Sequence, residues 1–225
     1  MKTSTPAPTS PRGNIAIDSA SRSRTDASLR ELATTDSLIP PAIEHGIGFN
    51  HIGDPTYSAA AGGRLLAPLE CYYPSGKGDA NTCRMGGIGV IDPKTLTWKY
   101  WVRLDPADIP KAMWAEVSPD GKRLWTSSGD DLLAYSVADI STAHAASSAT
   151  ATPIRPVARL KNAVPPSGVT GATFYQGRLL LAGETDGLLQ IRSLSVTGKQ
   201  APRVEATFPG LQAEPEGLDV ADAGG

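Results

Sequence analysis

Trp114-Ala-Glu-Val-Ser-Pro-Asp-Gly-Lys-Arg-Leu-Trp-Thr-Ser-Ser-Gly129 decides the fold of this chain. Its centre, Ser118-Pro119-Asp120-Gly121, is a tight-turn sequence in which Pro presets φ and Gly accepts a positive φ. The turn joins a strand ending at Val117 to one starting at Lys122. Residues 132–137 then read as a third strand and residues 154–160 as a fourth, with Pro156 marking an outer edge. The unit is a four-stranded antiparallel meander.

Working outward, the same grammar recurs. Arg-Leu pairs open an apolar strand at Arg64-Leu65, Arg123-Leu124 and Arg178-Leu179, spaced 59 and then 55 residues. A period of this length filled with short strands marks a repeat architecture. In the first copy, residues 54–57 lead through Gly62-Gly63 into residues 64–69, followed by strands over 87–92 and 96–104. In the third, residues 171–174 and 178–182 flank Gln176-Gly177, and strands over 188–192 and 203–208 close it. The second strands are almost wholly apolar, as in Leu179-Leu180-Leu181, which suits strands covered on both faces. A fourth copy begins at Glu216-Gly217-Leu218-Asp219-Val220.

The segment Val117-Ser-Pro-Asp-Gly-Lys-Arg-Leu-Trp125 resembles the repeat of the WD40/YVTN-type β-propellers. The likeness extends over residues 51–225. It is nearer to the bacterial YVTN kind than to WD40 proper, because no Gly-His and Trp-Asp pair is present and the repeat is long. It implies an all-β fold of propeller blades over residues 51–108, 109–165 and 166–212, with a partial blade at 213–225. Propellers close with four to eight blades. The expectation is therefore an incomplete propeller: a piece of a longer chain, a self-associating assembly through unclosed blades, or an open structure. Ahead of the propeller segment (residues 46–225), residues 1–45 read as a disordered polar leader rich in Ser, Thr, Pro and Arg.

Composition excludes some functions. The formal net charge is -2 with both signs dispersed, so no basic patch for nucleic acid exists. No apolar run reaches the roughly 18 residues of a membrane span. The leader shows no hydrophobic stretch of signal-peptide kind. Cys71 and Cys83, the only cysteines, stand at the two feet of one loop and are expected to form a disulfide. Such a bridge favours an extracytoplasmic or secreted protein, and the missing signal favours the opposite.

In a propeller the loops leading into the inner strands share one face with the loops between second and third strands. That face would gather His51, Asp54, Lys77, Trp114, Glu116 and Glu216. The expected function is a binding or scaffold propeller for an unidentified small molecule or protein. An alternative comes from a further resemblance: Glu214-Pro-Glu-Gly217 is similar to the acidic inner-strand starts of calcium-dependent propeller lactonases and esterases. That likeness implies Ca²⁺ held by Asp54, Glu216 and Asp219, with His51 as general base. Matching asparagines are absent, and Thr56 and Thr173 stand at equivalent strand positions. The plainer reading of the same acids is turn capping or solvation. Trp98, Tyr100 and Trp101 read as packing residues on a fourth strand.

Overall fold

A computed structural model describes residues 39–71, 84–143, 152–164, 168–198, 202–209 and 217–220. Three antiparallel sheets follow one another along the chain. The first contains β1 (His51–Ile52), β2 (Thr56–Ser58), β3 (Arg64–Glu70), β4 (Gly87–Ile91) and β5 (Trp98–Arg103). Both β1 and β2 pair with β3, so together they are one inner strand interrupted at residues 53–55. The second sheet is β6 (Glu116–Val117), β7 (Arg123–Ser128), β8 (Asp131–Ser136) and β9 (Ala158–Leu160). The third is β10 (Gly171–Tyr175), β11 (Arg178–Thr185), β12 (Leu188–Leu194) and β13 (Arg203–Phe208). Each sheet is a sequential meander, and the fold is a partial β-propeller of three blades.

The repeat lies where the sequence places it. Arg64, Arg123 and Arg178 are the first residues of the second strand in their blades. In the middle blade the Asp120 carboxylate accepts from the Ser118 hydroxyl at 2.6 Å and the Lys122 amide at 3.1 Å. The Gly121 amide donates to the Ser118 carbonyl at 2.8 Å with φ at 70°. The side chain and the glycine thus satisfy the turn from both sides.

Period-two alternation distributes the core. On β7, Leu124 faces the first blade and Trp125 the third. On β8, Leu133 and Tyr135 join the first cluster, and Leu132 and Ala134 the second. The middle blade is therefore buried on both faces, which explains its near-continuous apolar strands. Neighbouring blades are also tied through their backbones. Residues 54 and 114 form a parallel bridge on the inner side, and 104 and 154 another on the outer side. The inner tie needs Gly53, where an added Cβ would sit 1.8 Å from the Met113 carbonyl oxygen.

Two helices were not foreseen from the sequence. Helix α1 (Pro41–Ile47) falls largely within the stretch read as leader. Pro41 occupies its first turn, and Gly48 ends it in the left-handed region at φ 100°. Ile43 and Ile47 lie one turn apart and pack with Phe49, Leu69 and Trp101 against the outer face of the first blade. Helix α2 (Val137–Thr142) follows β8 directly, and the Ser136 hydroxyl accepts from the Asp139 amide at its N-terminus. The fourth strand of the middle blade is shorter than expected: Ile154 bonds to the first blade instead, and only Ala158–Leu160 pairs with β8. Pro156 separates the two parts, since it has no amide to donate. Among the described residues no helix is long and apolar enough to cross a membrane.

Candidate functional site

The inner strands β2, β6 and β10 converge with residues 217–219 around a cavity of about 510 Å³. The registers make Thr56, Glu116 and Thr173 equivalent positions in their blades, two residues before the turn-proximal pair in each inner strand. All three line the cavity, together with Asp54 and Asp219. None of the described lining residues is basic.

Two carboxylates hold these strands to one another. Asp54 Oδ2 accepts from the Ala172 amide at 3.1 Å and from the Leu218 amide at 3.3 Å. It thereby ties the first blade to the third and to the start of a fourth. Glu116 Oε2 accepts from the Thr56 hydroxyl at 2.7 Å, and its Oε1 accepts from the Phe174 amide at 3.2 Å. A single side chain of the middle blade thus reaches both neighbours. Short inner strands leave backbone donors without ladder partners, and buried donors must be satisfied. Asp54 and Glu116 supply the acceptors.

The electrostatics of the cavity oppose its acids. Burial raises the Asp54 carboxyl above the usual range; the two amides work against that shift, and the charge of Asp219 adds to it. Glu116 is likewise raised, first by burial, with hydrogen bonds from Thr56 and Phe174 lowering it and the charges of Asp54 and Asp219 raising it further. Asp54 and Glu116 are partly buried beside the exposed Asp219, and none of the described residues lining the cavity is basic.

The structure brings together only part of the expected ligand face. Asp54, Glu116 and Asp219 meet at the cavity. Trp114 does not reach it: the ring is fully buried between the second and third blades, and its Nε1 donates to the Ser127 hydroxyl at 2.8 Å. His51 is also not among the lining residues. Its Nδ1 lies 2.9 Å from Glu70 Oε1, beside a carboxylate that is itself buried. Lys77, Glu216 and Cys83 lie outside the described residues. Cys71 is buried at the end of β3, and no cysteine among the described residues is free. Trp101 is buried in the core, and the Tyr100 hydroxyl donates to the carbonyls of α2, so this aromatic strand packs the interior.

The described residues do not by themselves make a calcium centre, and Glu216 lies outside them. A hard cation takes six or more oxygens with lone pairs aimed inward. Here Asp54 Oδ2 and both oxygens of Glu116 are directed at amide and hydroxyl donors, and Asp219 Oδ1 accepts from the Val220 amide at 2.7 Å. Among the described residues, no group of three His, Cys, Asp or Glu has the arrangement to hold a metal. His51, cast as the base, is held by Glu70 and does not line the cavity that contains Asp54.

No family model and no curated protein matches the chain. Similar solved structures include the Myceliophteria thermophila Cps50 (Swd1) β-propeller domain, at 15% identity and TM-score 0.39, covering 82% of this chain and 50% of that one. The Dos1 propeller aligns at 13% identity and TM-score 0.37, over 74% of this chain and 36% of that one. Sqt1 of Chaetomium thermophilum, solved bound to the N-terminus of a ribosomal protein, aligns at 15% identity and TM-score 0.27, over 68% of this chain and 47% of its own. The chain thus spans half or less of the length of these three structures. The propeller assignment rests on the three sheets themselves.

Proposed function

We propose that this chain is a binding propeller of WD40/YVTN kind, nearer the YVTN type, whose axial cavity receives a cationic group. The observation that carries the reading is the cavity lining: three carboxylates and no described base in a space of about 510 Å³. Burial penalises the charges of Asp54 and Glu116, and an ammonium or guanidinium entering the cavity relieves the penalty while filling the volume. The ligand is then an amine, a guanidine, or a peptide presenting Lys or Arg. Asp219 is the natural contact, because it is the exposed acid of the three and only its Oδ1 is engaged, by the amide of Val220, whereas Asp54 and Glu116 tie the blades together.

Calorimetric titration of the 225-residue chain with spermidine, arginine methyl ester and a Lys-bearing peptide tests this. The expected result is saturable binding of at least one cationic probe, weakened by salt and by Asp219→Asn, and unchanged by a chelator. Absence of any saturable heat, or binding insensitive to Asp219→Asn, overturns it. Micromolar calcium binding lost in Asp54→Ala would replace it with a metal-assisted hydrolase.

A Cys71–Cys83 bridge is part of the same proposal, resting on the position of the two cysteines at the feet of one loop. It places the working protein in an oxidising compartment. A thiol count of two under non-reducing conditions removes it.

A further inference from the structure

Thr173 stands apart from the other residues of the axial cavity. Strand β10 turns the amides of Ala172 and Phe174 toward the axis, where Asp54 and Glu116 hold them at 3.1 and 3.2 Å. The residue between them is clamped on both sides. Its side chain lines the cavity, and only 7% of the residue is exposed. A β-branched side chain is stiff at χ1, so a fixed backbone leaves the hydroxyl few positions.

The counterpart in the first blade, Thr56, spends its hydroxyl on Glu116 at 2.7 Å. The copy that follows the third blade does not do the same for Thr173. Gly171-Ala-Thr173 recurs there as Gly217-Leu-Asp219, and a Cβ added at Gly171 would meet the Gly217 carbonyl carbon at 2.5 Å. By the repeat, Asp219 takes beside Thr173 the place that Glu116 takes beside Thr56. It is one methylene shorter, and its Oδ1 turns to the Val220 amide at 2.7 Å. Among the described residues no group bonds the Thr173 hydroxyl. A buried hydroxyl without a partner is costly, and a ligand that brings an N–H removes the cost.

We infer that Thr173 makes the cavity selective for a cation that carries N–H bonds, a primary ammonium or a guanidinium, over a fully alkylated ammonium. The inference rests on the reading of this cavity as a cation site. Asp219 supplies charge and draws either kind of cation. The Thr173 Oγ1 accepts only from a ligand N–H. A trimethylammonium of equal charge leaves that oxygen unpaired and sets methyl groups against it. Sites built to bond a donor reject analogues that lack it more strongly than apolar pockets reject a wrong shape. The opposite preference would come from Tyr57, whose exposed ring lines the same cavity and would favour an alkylated cation.

Calorimetric titration of the 225-residue chain with a Lys-bearing peptide, and with the same peptide trimethylated at Nζ, is the test. The unmodified peptide is expected to bind at least about tenfold tighter. Thr173→Val keeps the branched outline and is expected to remove that preference by weakening the unmodified peptide alone. Thr173→Ser keeps the hydroxyl and is expected to retain it. Equal affinities in the wild type, tighter binding of the trimethylated peptide, or a preference that survives Thr173→Val overturns the inference and leaves the cation site standing. Equal loss of both peptides in Thr173→Val also overturns it, because the hydroxyl then serves the fold and not the ligand. Binding of neither peptide by the wild type overturns the cation site and this inference with it.

Discussion

The first and third blades share one strand order and one Arg-Leu start, yet their outward faces differ. The first is sealed by α1 and by Phe49, whose ring meets Trp101 edge to face at 5.2 Å and 76°. In the third, Leu189, Ile191 and Phe208 are partly buried and belong to none of the hydrophobic clusters of the described residues. The strand pattern of a blade thus sets its pairing, whereas its stability depends on what its neighbour supplies. In a quasi-one-dimensional stack, each unit gains most of its free energy from the interfaces on either side.

That comparison can be broken by substitution. The largest effect is expected at the sealed end. Phe49→Ala removes a fully buried ring and is expected to cost about 3–5 kcal/mol in urea denaturation. A loss below about 1 kcal/mol would show that the seal contributes little. Gly53→Ala is expected to be comparably severe, because the added carbon meets backbone with no flexible neighbour to yield.

An intermediate effect is expected at the junction of the blades. Glu116→Ala strands the Thr56 hydroxyl and the Phe174 amide, at a cost of about 1–3 kcal/mol, part of which is offset by relief of repulsion from Asp54 and Asp219. The same residues give a pH dependence. The folded chain holds the Asp54 and Glu116 protons more tightly than the unfolded chain does. Their contribution to stability is therefore fully present below the ordinary carboxylate range near about 4, and it is lost as pH rises through the raised values. Denaturation midpoints of wild type and Glu116→Ala measured at several pH values should differ in slope, with the variant flatter. Parallel slopes would remove Glu116 as a source.

The smallest effect is expected in the third blade. Phe208→Ala, at a partly buried position outside the hydrophobic clusters of the described residues, should cost less than Phe49→Ala in the same urea denaturation. A cost equal to that of Phe49→Ala would erase the distinction between the blades.

The strands were legible because their signals are local. Gly121 and Gly177 supply the positive φ of two turns, Asp120 adds acceptors in the first, and alternating apolar residues supply the register. Equivalence of Thr56, Glu116 and Thr173 followed from the repeat and recurs around the cavity. Other features turn on contacts between distant residues. Pro41–Ile47 is too short to show a helical period, since only two isoleucines mark the side that packs, and their partners Leu69 and Trp101 lie well downstream. Trp114, at the head of an inner strand, looks poised to line a channel until Ser127 is seen to take its indole proton. Asp54 has the chemistry of a metal ligand, and the sequence gives no sign that its Oδ2 accepts from two distant amides.

Asp54 also bears on how the chain comes to be folded. Its carboxylate meets donors 118 and 164 residues downstream. Contacts so far apart in sequence are slow to form, because the loop entropy must be met before they contribute. On the ribosome the first two blades can complete their own meanders while that carboxylate still lacks both amides. The axis is then the last part of the molecule to set, and a nascent chain halted before Leu218 carries a half-satisfied, charged seam through its centre.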